Sequence, residues 1–76
     1  MEMEKEDTQA KRFGKVLMDL KPDVTEDDRK AAIKETGVTH ATIVAYLKGN
    51  VRNNDLAASL IGIFRQRISD REKVIA

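Results

Sequence analysis

The chain has no cysteine and a single histidine, so it holds no disulfide framework, no thiolate nucleophile and no Cys/His cluster with zinc-ligand spacing. Metalloenzyme and redox chemistry are set aside on that ground, and no cofactor is expected. No apolar run approaches the roughly 20 residues that cross a bilayer. The start, Met1-Glu2-Met3-Glu4-Lys5-Glu6-Asp7, is acidic where a signal peptide is basic. A soluble, cytoplasmic protein without a membrane partner is therefore expected. One proline and four glycines leave little room for linkers, and neither a repeat nor a low-complexity segment occurs.

What is present is 76 residues, 41% hydrophobic and 36% charged, enough for one domain. A chain of this size buries only about 60% of the surface it exposes when unfolded, so a deep catalytic cleft is not expected. No nucleophile, base and orienting group stand together at usable spacing, and Asp27 and Asp28 are adjacent, pointing in different directions on a helix. The protein is read as a non-enzyme with no small-molecule ligand. Net charge is +1, but it is unevenly spread. Residues 1 to 28 carry five bases against nine acids, a net of −4, and residues 29 to 76 carry nine bases against four acids, a net of +5. Either a polyanion-binding face with an acidic back or an unevenly charged, solvated surface produces such a split.

Apolar spacing divides the chain into helices. Phe13, Leu17 and Leu20 form one stripe with Val16 beside it, which predicts a first helix from Thr8 to Leu20, capped by Thr8 or Asp7 and stopped at Pro22 and Asp23. Residues 1 to 7 are expected to be a flexible acidic N-terminus and residues 8 to 76 the domain. Thr25 followed by Asp28 approximates a capping box and predicts a short helix from Glu26 to Glu35. Gly37 supplies the left-handed conformation that ends it, and Thr39 caps a third helix from His40 to Lys48, with Ile43, Tyr46 and Leu47 facing the core. A polar loop from Gly49 to Asn54 leads, through an Asn53 or Asn54 cap, to a long last helix from Asp55 toward Lys73, with Leu56, Leu60, Ile63, Phe64 and Ile68 as its stripe. No strand-length segment alternates with period two. The fold is predicted to be all-α, a bundle of four to five helices.

The segment from Arg29 to Gly49 resembles the helix-turn-helix of the lambda-repressor-like and Lac-repressor-like DNA-binding domains. Gly37 stands at the turn, Val38 plugs the gap between the helices, Thr39 caps the recognition helix, and Ile43 with Tyr46 or Leu47 holds that helix on the core. With the loop and closing helix that follow, the likeness spans about residues 9 to 68. Ala32 precedes Ile33 where the family usually has the larger residue first, which implies a wider crossing or a rotated second helix. The resemblance implies a sequence-specific regulator of transcription, repressor-like, of the kind associated with phages and mobile elements, binding double-stranded DNA through the major groove.

The residues that would meet DNA are Thr39, His40, Ala41, Thr42, Ala45 and Lys48 on the recognition helix and Arg52 in the loop. Ala41 or Ala45 suits a thymine methyl, His40 and Lys48 suit guanine or phosphate, and Arg52 suits phosphate. Val44 and Ala45 leave this face poor in hydrogen-bond donors, which points to few base contacts or help from DNA shape. The same feature supports an alternative, in which the fold serves as a protein-interaction or assembly module without strong DNA binding. Arg65, Arg67, Arg71 and Lys73 read as a solvated face, balanced locally by Asp70 and Glu72. A homodimer is expected, with Ile68, Val74 and Ile75 on the last helix as its interface.

Overall fold

A computed structural model describes the backbone of residues 2–75 and the side chains of residues 9–73. Four α-helices follow one another: α1 (Glu2–Leu20), α2 (Glu26–Thr36), α3 (His40–Leu47) and α4 (Asn54–Ile75), with a 3-10 turn at Lys21–Asp23 between the first two. No strand occurs among the described residues, and the fold is all-α as the spacing implies.

The helix ends follow local chemistry. Pro22 lies in the 3-10 turn that terminates α1. Thr25 Oγ1 accepts from the Asp28 N–H at 3.2 Å while Asp28 Oδ2 accepts from the Thr25 N–H at 3.0 Å, a complete capping box at the start of α2. Asn53 Oδ1 accepts from the Leu56 N–H at 3.0 Å and caps α4. The helical backbone of α1 reaches back to Glu2, six residues before the expected start, so Asp7 and Thr8 lie within the helix instead of capping it.

Helix α4 packs on α1 and α2, and α3 packs on the same two helices. Their shared core consists of Leu17 from α1, Ala32 from α2, Ile43, Tyr46 and Leu47 from α3, and Ala57, Leu60, Ile61 and Phe64 from α4, with Val24 from the connection. Burying Phe64, Leu17, Ile43 and Leu60 completely contributes about 2 kcal/mol each. On α2 the fully buried apolar residue is Ala32, and Ile33 packs at the edge of the core, half-buried. The small side chain thus sits at the contact even though it comes first in sequence.

Gly14 is buried within α1, and a Cβ there would fall 2.8 Å from the Gly49 carbonyl oxygen, closer than carbon and oxygen can approach. Its missing side chain lets α1 pass directly against the backbone that leaves α3.

Arg67 and Arg71 depart from the sequence reading. They converge on Asp28, which has no accessible surface. Arg67 Nε donates to Asp28 Oδ1 at 2.7 Å, Arg71 Nη1 donates to both carboxylate oxygens at 2.7 Å, and Arg71 Nη2 donates to the Asp23 carbonyl at 2.7 Å. The local partner expected for Arg67, Asp70, instead accepts from Gln66 Nε2 at 2.9 Å. Burial opposes ionisation of Asp28, but the Thr25 N–H and the two guanidiniums outweigh it and pull the carboxyl from its ordinary 3.8 down to about 2. These arginines therefore clamp α4 to α2 instead of forming a free cationic face.

Candidate nucleic-acid interface

The segment expected to meet DNA is built on a three-residue turn between α2 and α3. Gly37 has φ +76°, and its N–H donates to the Ile33 carbonyl at 2.8 Å, closing α2 in the left-handed conformation expected of it. The Thr36 hydroxyl donates to the Ala32 carbonyl at 2.7 Å and accepts from the Val38 N–H at 3.4 Å, fixing the turn from the α2 side. Val38 packs half-buried against the core. Thr39 then caps α3: its Oγ1 accepts from the Thr42 N–H at 3.3 Å.

Ile43, Tyr46 and Leu47 are buried and orient α3. What remains outward is exposed at Thr39, His40 and Ala41 and half-buried at Thr42, Val44 and Ala45. The hydroxyls of Thr39 and Thr42 lie 3.0 Å apart and share a hydrogen bond, so both are engaged with the cap. Lys48 is exposed one residue beyond α3, where its charge complements the negative end of the helix dipole.

The loop after α3 is held by one side chain that sequence reasoning assigned only to the core. Tyr46 is 4% exposed, and its hydroxyl accepts from the backbone N–H groups of Arg52 at 3.3 Å and Asn53 at 2.8 Å. Asn50 adds an N–H bond to the Ala45 carbonyl at 3.0 Å. This ties the backbone carrying exposed Arg52 to α3 itself. Ala41, Thr42, Ala45 and Arg52 accordingly line one shallow groove together with Asn50 and Val51.

No protein family, curated protein or solved structure matches the chain at a significant level.

Of the seven residues singled out from the sequence, four share the groove, Thr39 and Lys48 lie at the two ends of α3, and His40 opens onto another flank. There it lines a depression shared with Lys21 and Arg29, a grouping invisible in the sequence because they stand 19 and 11 residues away on other elements. Among the described residues, no carboxylate lies within ion-pair distance of Lys21, Arg29, His40, Lys48 or Arg52. The surroundings of α3 thus combine small apolar side chains on the helix with cationic groups beside it. That arrangement suits a polyanion whose charged rails lie on either side of an apolar and hydrogen-bonding middle.

Proposed function

We propose that the protein is a sequence-specific DNA-binding regulator of repressor type, a helix-turn-helix domain that inserts α3 into the major groove. The observation that carries this reading is the capped, tightly turned α2–α3 pair, whose second helix turns Ile43, Tyr46 and Leu47 inward and is flanked by basic groups with no acidic partner among the described residues. In this reading Arg52 holds a backbone phosphate, Ala41 and Ala45 meet apolar base edges such as the thymine methyl, and Lys48 reaches guanine or phosphate. With part of the hydrogen-bonding capacity of both threonine hydroxyls spent on the cap, few direct base contacts remain, and DNA shape supplies part of the discrimination. Repression follows from occupying an operator.

Few contacts per domain imply weak binding by one copy, so two copies on a palindromic site are part of the proposal. Ile68, expected at the interface, is half-buried within the single chain. The side chains of Val74 and Ile75 lie outside the described residues. Sedimentation at high micromolar concentration, with and without DNA, tests the dimer: a monomer in both contradicts it.

Selection of bound sequences from a random duplex pool at two salt concentrations tests the main reading. A preferred sequence recovered at both supports it; no enrichment and no binding at low salt overturns it. The half-exposed pair Val44 and Ala45 favours a second reading, an assembly module that uses the same face against a protein. Abolition of partner capture by Val44→Asp, together with absent DNA binding, selects that one.

A further inference from the structure

Lys21 in the 3-10 turn, Arg29 in α2 and His40 at the start of α3 converge on one depression, with Val44 and Leu47 as its apolar floor. His40, Val44 and Leu47 form one stripe of α3 at i, i+4 and i+7, a different flank from the Ala41 and Ala45 stripe beside Arg52. Lys21 and His40 are exposed and Arg29 is half-buried, held by a weak bond from its Nη1 to the Val24 carbonyl at 3.4 Å. Among the described residues none of the three has a carboxylate within 4.0 Å.

Lys21 and Arg29 place two like charges at the rim of one depression over an apolar floor, with a histidine ring beside them as a further N–H donor, and an anion seated there relieves the repulsion between the two cations. A tetrahedral dianion or monoester matches the set: Arg29 presents a planar fork of donors, Lys21 a mobile point charge, and His40 a ring N–H. A carboxylate has fewer acceptor atoms for the same three donors.

We propose that Lys21, Arg29 and His40 form an anion site that holds one phosphate group beside α3. This deepens the DNA-binding reading and rests on it for the source of the phosphate: on DNA it is a backbone phosphate, held on the opposite side of the inserted helix from the one at Arg52. Two phosphates gripped on two flanks fix the rotation of α3 about its own axis, which a single contact leaves free.

The test has two arms. In the first, inorganic phosphate is titrated into isotope-labelled protein at constant ionic strength, with chloride as the control, and nuclear magnetic resonance follows Lys21, Arg29 and His40. Saturable shifts at these residues that vanish in Lys21→Gln and in Arg29→Gln are expected. In the second, the salt dependence of duplex binding is compared for the natural chain, Lys21→Gln, the Lys21→Gln/Arg29→Gln pair and Arg52→Ala. The pair should lose about one unit of log-log slope, as Arg52→Ala should separately. Lys21→Gln alters an exposed side chain with no bond to the fold, so it remains informative if Arg29→Gln lowers the melting temperature. Phosphate shifts with no duplex binding at low salt uphold the anion site and overturn the DNA reading. Duplex binding with an unchanged slope in the pair, and no phosphate shifts, overturns the anion site and leaves the DNA reading standing.

Discussion

Arg71 donates to both carboxylate oxygens of Asp28 at 2.7 Å across 43 residues of sequence, and the carboxylate it meets has no contact with water. Because the folded carboxyl sits near 2 and the ordinary value is 3.8, the unfolded chain takes up this proton more readily than the folded one. The ionised group therefore stabilises the fold above about pH 4, and that contribution fades as pH falls toward about 2. Its size is about 2 kcal/mol at most, since the guanidiniums keep 42% and 41% of their side-chain surface in water. Urea unfolding at pH 7, 4 and 2.5 should show Asp28→Asn losing most at pH 7 and least at pH 2.5.

Gly14 and Gly62 should respond oppositely to the same substitution. Gly14→Ala raises helix propensity but drives a Cβ into the Gly49 carbonyl, so a net loss of about 1 to 3 kcal/mol is expected from overpacking. Gly62 lies exposed within α4 with nothing near its absent side chain, and Gly62→Ala should gain about 0.5 to 1 kcal/mol. Chemical denaturation of the two variants checks both signs.

Tyr46→Phe keeps the buried ring and removes the acceptor for two backbone N–H groups. A loss of about 1 kcal/mol is expected, with the effect concentrated in the loop: amide exchange at Arg52 and Asn53 should accelerate far more than in α1 or α4. Duplex affinity should fall while the preferred sequence stays the same.

Affinity and specificity should separate between the loop and the helix. Arg52→Ala should weaken binding about equally on all duplexes and make the salt slope shallower by roughly one unit. Enlarging Ala45, whose half-buried side chain borders the same groove, should instead change which sequences are preferred, by about 1 to 3 kcal/mol per misfitting base pair. Binding-site selection on both variants distinguishes the two effects.

The parts of this fold that were legible in the sequence are those decided within one turn of chain. Gly37 and Thr39 end one helix and start the next by bonds spanning three or four residues, and the inward set Ile43, Tyr46 and Leu47 follows from spacing alone. Thr25 and Asp28 were legible as a cap for the same reason, but the second role of Asp28 was not. Its partners lie 39 and 43 residues away, and each had an acidic neighbour in sequence that made a local pairing reasonable. Gly14 drew no attention in the sequence, and only the path of the backbone at Gly49 explains a glycine in that helix interior. At the candidate site, spacing identified the outward face of α3, whereas the hydroxyl of Tyr46 and the company His40 keeps with Lys21 and Arg29 depend on how separate elements meet.

The position of α4 shapes how the protein is made as well as how it stands. It brings Ala57, Leu60, Ile61 and Phe64 to a core whose other side is already presented by the three earlier helices. During synthesis those earlier helices leave the ribosome first, with Leu17, Ile43 and Leu47 still uncovered and Asp28 still without its guanidiniums. The α2–α3 pair and its scaffold therefore reach their final packing only after residues 57 to 71 have been translated, and a nascent chain halted before them should be open to proteases.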